Sequence, residues 1–516
     1  MKKFKQSKYS LFFAIAFCFI ISTSNSIAFS AEKINFNYSL LGFKVLVNDL
    51  SDFAEQGKIS SHLNFYLKRI SSKQREELQE FLNQSYDVDP VLVYRYSRTS
   101  VGIKLLQRIG EIIQLPGGIN GFYGLRAAVV QTAELKSQAT FINFIKQFPT
   151  DIKLNLDGII KLVKQISSSE NNTQKLITNL EKKETSPKLE NIPDLSKSGQ
   201  YKTTKQTLEL YDKKRDRRLN TDLYLPQSNI NQIPLIVVSN GLGAKRDRFE
   251  ELANHLSSYG FGVVIPDHPG SDRKRQKDFL KGLYKENFDA TDFIDRPLDV
   301  SYILDELAIL NQNQLNNRLN LDEVGIFGYS IGGTTAISLG GANIDFDRLQ
   351  QKCQQPLDLL NISTLYQCRA TELTPNKKSL KDERIKAAYL FVPFGNNMFS
   401  QNELNKVSIP MMWQVVDKDF LTSLLTEQVP LFDGLVKSDR HLIISEKLPH
   451  SNVTLSKEQQ SAQGEKFQIA KNYQNILSLV FFQNYLAQNQ EYSKYLNQKY
   501  LNAIERQPSK LHLISK

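Results

Sequence analysis

The feature that most narrows what this chain can fold into is a five-residue turn, Gly328-Tyr329-Ser330-Ile331-Gly332. An apolar run, Val324-Gly325-Ile326-Phe327, precedes it, and Gly333-Thr334-Thr335-Ala336 opens a helix after it. Where a strand turns sharply into a helix, the two backbones approach too closely for side chains two residues either side of the apex. Glycine is therefore needed at both places. The apex residue is left with its side chain presented above a sheet, and here it is a serine. The five-residue pattern alone arises by chance in roughly one such chain in ten. The flanking strand and helix give it weight.

The surrounding chain has the matching texture. Thr207 to Tyr211 and Leu219 to Leu225 read as two strands around a charged turn. Pro234-Leu235-Ile236-Val237-Val238-Ser239 and Gly262 to Pro266 are continuous apolar runs, as strands covered on both faces require. Between and after them, Phe249 to Tyr259, Asp299 to Leu310 and Thr334 to Leu339 read as helices. Strand and helix in alternation predict an α/β fold, a mostly parallel sheet with helices on both faces. The charged turn contains Lys213-Lys214-Arg215-Asp216-Arg217-Arg218, which reads as a solvated turn.

A serine on such a turn needs a base, and the α/β-hydrolase fold supplies its partners in the order Ser, acid, His. Only His441, His450 and His512 follow Ser330. His512 is almost at the C-terminus, and His441 opens the run Leu442 to Ser445, at the wrong end of a strand for a site above the sheet. His450 lies in the loop after that strand and is the candidate base. The acid belongs after the strand Ile409 to Val416, where Asp417 and Asp419 both stand. Asp419 is favoured, with Asp417 left as a turn-forming aspartate that bonds its own backbone. Acyl transfer also needs N–H donors for a developing oxyanion. The backbone N–H groups of Leu242, in Ser239-Asn240-Gly241-Leu242-Gly243, and of Ile331 are the candidates.

These residues resemble secreted bacterial hydrolases of the dienelactone-hydrolase-like and platelet-activating-factor-acetylhydrolase-like kind. The matching segments are Pro234 to Gly243, Pro266 to Asp272, Arg296 to Val300, Gly328 to Ala336 and Ile409 to His450. The resemblance implies the acid at Asp419, with Glu427-Gln428 also matching, and an ester of a lipid or small molecule as substrate. Two positions depart from the pattern: Asn240 stands where histidine is usual, and His450-Ser451-Asn452 replaces His-Phe-Ser. Dienelactone hydrolases proper use a cysteine nucleophile, so lactone specificity does not transfer to a chain carrying Ser330.

The 516 residues predict more than one domain. Lys2, Lys3, Lys5 and Lys8, the apolar run Leu11 to Ile21 and the small residues near Ala28 have the layout of a secretory signal peptide over residues 1–28. Residues 33–166 read as a mostly α-helical domain, of the kind of unknown function that precedes such hydrolases by the same resemblance. Residues 167–200, poor in apolar side chains, read as a linker, and 201–516 as the hydrolase domain. An insertion at 341–380 is expected to wall or cover the pocket, braced by a Cys353–Cys368 disulfide suited to an oxidising compartment. Closing that loop is worth about 3 kcal/mol in the chain-entropy model.

Loss of the leader takes away four lysines and no acid, lowering the net charge from +11 to +7. That leaves room for peripheral contact with an anionic membrane but supplies no unbroken basic block. No metal cluster, phosphate-binding loop or nucleic-acid signature is legible, so no cofactor is expected. The sequence leaves open three functions: an ester hydrolase, a peptidase or amidase on the same residues, and a catalytically silent binding module of the cell envelope.

Overall fold

The apolar runs become the inner strands of a nine-stranded sheet. In the computed structural model, the described residues are 30–39, 41–183, 192–375, 378–419, 421–448, 450 and 457–516. The signal-peptide reading therefore lies outside them. The chain divides into two compact units: residues to 86 with 110–156, and residues 87–109 with 157–516.

The smaller unit is built around a sheet of β1 (Lys33–Tyr38), β2 (Leu41–Leu46), β3 (Ile113–Gln114) and β4 (Ile152–Leu154), in the order β2-β1-β4-β3. Helices Val47–Gln56, Ser72–Asn83, Phe122–Glu134 and Phe141–Lys146 belong to the same unit. Its core holds Phe53, Leu82, Leu125, Ala128, Ile142 and Phe148. Ser71 caps its helix in a reciprocal box with Gln74, satisfying two backbone donors that a helix start leaves orphaned.

In the larger unit, β5 (Thr203–Asp212), β6 (Arg217–Pro226), β7 (Ile233–Ser239), β8 (Gly262–Pro266) and β9 (Leu319–Tyr329) are followed by four more strands. These are β10 (Ile385–Phe391), β11 (Met411–Val416), β12 (Arg440–Ser445) and β13 (Leu511–Ser515). The order is β13-β12-β11-β10-β9-β7-β8-β6-β5. From β8 through β12 every pairing is parallel, while β5, β6 and β13 join antiparallel at the edges.

Pleating sends alternate residues of β7 into opposite layers. Leu235 and Val237 join a core with Val300, Leu304 and Leu307 of the helix Asp292–Gln314. Ile236 and Val238 join another with Leu252 and Leu256 of Glu250–Ser258 and Val480 and Phe482 of Lys457–Tyr485. Each such side chain removed from water contributes roughly 1.5–3 kcal/mol. Two-sided burial is why these strands read as unbroken apolar runs.

Several expectations need correction. The smaller unit is mostly helical as expected but also carries a short sheet, whose four strands are short and mostly half-buried, a weak pattern in sequence. Residues 167–183 are not linker: they complete the helix Leu156–Lys183, whose Ile177 is buried and whose Leu176 and Leu180 pack on the larger core. The polar stretch Ser167 to Asn172 hid that stripe. Residues 87–109 lie inside the span read as the first domain yet fold with the larger unit. The 213–218 turn is not wholly solvated either. Arg215 turns inward to Asp212, Asp295 and Asp299, and Arg217 to Asp292, Asp295 and Asp299.

Candidate active site

Ser330 sits where β9 ends, before the helix Ile331–Leu339, at φ 54° and ψ −117°. A non-glycine residue held there stores on the order of 1–3 kcal/mol of strain, so the neighbours must enforce it. They do so by contact. A Cβ on Gly332 would lie 1.9 Å from the Ser239 carbonyl oxygen, and one on Gly328 would lie 2.4 Å from the Gly332 oxygen. The Ser330 N–H donates to the Phe391 carbonyl at 2.9 Å, tying the turn to β10.

The parallel order brings the loops after β7, β9, β11 and β12 to one edge of the sheet. Nδ1 of His450, in the loop after β12, lies 2.5 Å from Oδ2 of Asp419, in the loop after β11. Asp419 is further held by the N–H groups of Leu421 (2.8 Å) and Thr422 (3.0 Å) on Oδ1 and the Thr422 hydroxyl (2.6 Å) on Oδ2. Burial opposes ionisation of this carboxyl, but the His450 ring and the Thr422 donors outweigh it and hold its pKa below the ordinary value. Asp417 turns away and accepts from the Lys447 N–H at 2.8 Å; burial pushes its pKa up.

Ser330 and His450 line one cavity of about 200 Å³, together with Leu242. The N–H groups of Leu242 and Ile331 have no acceptor among the described residues. A buried helix start with unspent donors is an anion-stabilising device. His441 is bonded to Ser515 and Tyr485, and His512 to Glu446 on the β12–β13 edge, so neither reaches this cavity.

The loop carrying Leu242 is braced from behind by a buried polar network. Arg296, 1% exposed, donates to the Asn240 carbonyl at 2.5 Å and to Ser271 Oγ. Ser239 Oγ lies 3.1 Å from His268 Nε2, and His268 Nδ1 lies 3.0 Å from Asp299 Oδ2. These three also form a Ser–His–Asp line, but all are buried and none reaches the cavity. Burial, reinforced by the Arg296 charge, pushes the His268 pKa down to about 4, so the ring is neutral. Burial raises Asp292 to about 6 despite Arg296.

Sequence reasoning missed several further lining residues, among them four polar ones with long or planar side chains. Tyr96, from the helix Pro90–Tyr96, donates to Gln276 at 3.2 Å and accepts from Asn287 at 3.3 Å, and both Tyr96 and Asn287 line the cavity. Tyr366 comes from within the 341–380 insertion, and Arg248 from the turn before the helix Glu250–Ser258. No local pattern marks any of them, because only tertiary packing brings them together. Cys353 and Cys368 are joined as a disulfide beside Tyr366. Glu427 is fully buried and accepts from Asn361, Gln367 and the N–H groups of Gly395 and Asn396, fastening the insertion to the loop after β10.

Sheet order, sharp serine turn and loop cluster together define an α/β-hydrolase fold. Residues 234–343 match the family described as alpha/beta hydrolase fold. Residues 30–155 match the family described as alpha/beta hydrolase of unknown function (DUF1400). No curated protein matches the chain.

Proposed function

We propose that this protein is an exported serine hydrolase that cleaves carboxylic esters through an acyl-enzyme. The observation that carries the reading is the 2.5 Å contact between His450 and Asp419 beside a cavity that also holds the strained Ser330. Asp419 fixes the proton on Nδ1 of His450, which leaves Nε2 free to accept. Ser330 Oγ attacks the ester carbonyl as His450 takes its proton. Charge developing on the carbonyl oxygen falls to the N–H groups of Leu242 and Ile331. His450 then returns the proton to the leaving alkoxide, and water repeats the cycle on the acyl-enzyme.

The disulfide and the layout of residues 1–28 support export to an oxidising compartment. No helix among the described residues is long and apolar enough to cross a membrane. The resemblance to platelet-activating-factor-acetylhydrolase-like proteins adds support for an ester of a lipid or small molecule. Labelling by a fluorophosphonate, with the adduct mapped to Ser330, tests the reading. An adduct elsewhere, or none, refutes it. Parallel assays on matched ester and amide substrates separate an esterase from an amidase.

A further inference from the structure

Arg248 differs from the arginines around it. Arg246 pairs with Asp222 and Asp267, Arg275 with Asp289, and Arg369 with Glu286 and Glu372. Arg248 has no carboxylate at ion-pair distance among the described residues. Its only hydrogen bond there is a 3.4 Å contact with the Tyr329 hydroxyl, and its Nε is buried without an acceptor. Yet it lines the cavity of Ser330, whose wall otherwise carries no permanent charge. A guanidinium is always protonated, and leaving one unpaired in a half-closed, low-dielectric site is costly unless a ligand supplies the anion.

Its position says which part of a ligand it meets. The guanidinium stacks 4.7 Å above the Tyr329 ring, and that ring lies 6.0 Å from the His450 ring. The Tyr329 hydroxyl also donates to the His450 carbonyl at 3.3 Å. Arg248 is thus on the flank of His450. The base returns its proton to the leaving alcohol, so that half of the ester occupies this flank. A second donor also waits in the cavity: the Tyr366 hydroxyl has no hydrogen-bond partner among the described residues, and burial pushes its pKa up to about 12, keeping it neutral.

We propose that the preferred substrate is a compact ester whose alcohol half bears an anionic oxygen group, carboxylate or phosphate, held by Arg248. Guanidinium geometry suits both groups, since each offers two oxygens to its fork. The cavity of about 200 Å³ favours a short acyl group over a long lipid chain. The inference rests on the ester-hydrolase reading for turnover, so the test reads binding as well.

The full chain is assayed on 4-acetoxybenzoate, its neutral methyl ester and 4-acetoxyphenyl phosphate. Wild type is expected to favour an anionic ester over the neutral one by roughly 10- to 100-fold in kcat/KM, the range of a charged hydrogen bond, mostly through KM. Arg248→Gln brings that ratio close to one, and Arg248→Lys keeps part of it. The better of the two anionic substrates assigns carboxylate or phosphate.

In parallel, calorimetry measures 4-hydroxybenzoate and 4-hydroxyphenyl phosphate binding to the Ser330→Ala chain with and without Arg248→Gln. Weakening by roughly 10-fold or more for either ligand supports the site. Unchanged binding of both overturns it, whatever the kinetics. No turnover of any ester while binding still responds to Arg248→Gln overturns the ester-hydrolase reading and leaves the anion site standing.

Discussion

Replacing Asp419 by asparagine separates the role of the carboxylate from its shape. The two oxygens of Asp419 are not equivalent. Oδ1 accepts the N–H groups of Leu421 and Thr422, and those donors require an oxygen. An asparagine must therefore keep its carbonyl there and turn its NH₂ towards His450 and the Thr422 hydroxyl, where Oδ2 now lies. Facing a donor, Nδ1 of His450 has to become the acceptor, which moves the proton to Nε2. The nitrogen that should accept the Ser330 proton then already carries one. A wrong-tautomer imidazole in such a triad costs roughly 10⁴-fold in kcat, equivalent to about 5.5 kcal/mol of barrier.

The substitution is nearly isosteric and keeps two of the backbone bonds, so the fold survives. Asp417→Asn alters a side chain whose hydrogen bond among the described residues is with the Lys447 N–H, and leaves kcat within roughly threefold, the scale of a surface change. Stopped or steady-state hydrolysis of p-nitrophenyl acetate by the two variants reads the difference directly. A kcat for Asp419→Asn within tenfold of wild type, or a larger loss from Asp417→Asn, refutes the reasoning.

Gly332→Ala is expected to cut kcat by about 100-fold, since its Cβ meets the Ser239 carbonyl at 1.9 Å and the serine turn must move by about an ångström. A normal kcat with this variant would show that the turn yields freely. His268 supplies a pH dependence of stability. Its folded pKa, about 4, is below the ordinary 6.5, so on acidification the unfolded chain takes the proton first. Its contribution is full above about pH 6.5 and is lost towards about pH 4, roughly 3 kcal/mol in all. Asp292, raised to about 6, acts in the opposite direction over most of that window, from about pH 6 downwards. From pH 7.5 to 5.0 the urea midpoint of His268→Gln should therefore fall less than that of wild type, or rise; the same signed change in both would contradict the neutral buried ring.

The larger unit was legible because its strands are covered on both faces. Pro234 to Ser239 and Gly262 to Pro266 differ from β7 and β8 by at most one residue. The strand before Ser330 extends further back than its apolar part, from Leu319, because its first half is only partly buried. β10 went unread: it follows the long insertion, and a short apolar run there does not declare its period. β13 also went unread, as a five-residue edge strand defined by pairing with β12 rather than by its own pattern.

The candidate site divides along the same line. Ser330 is announced by local sterics, and His450 emerges by elimination among three histidines. The choice between Asp417 and Asp419 depends on which side chain a loop turns inward, and two residues of spacing do not state that. Tyr96 and Arg248 reach the cavity only through packing of segments more than 80 residues from Ser330, for which sequence order gives no signal. The same holds for Arg296, whose buried guanidinium braces the loop carrying Leu242.

The central claim is that Ser330 forms an acyl-enzyme, and the most direct measurement compares p-nitrophenyl ester hydrolysis by wild type and Ser330→Ala across acyl lengths. The account predicts measurable turnover by wild type, strongest for short acyl groups, and loss of at least 10³-fold in kcat for the variant. Equal turnover by both would remove Ser330 as the nucleophile and with it the proposed mechanism.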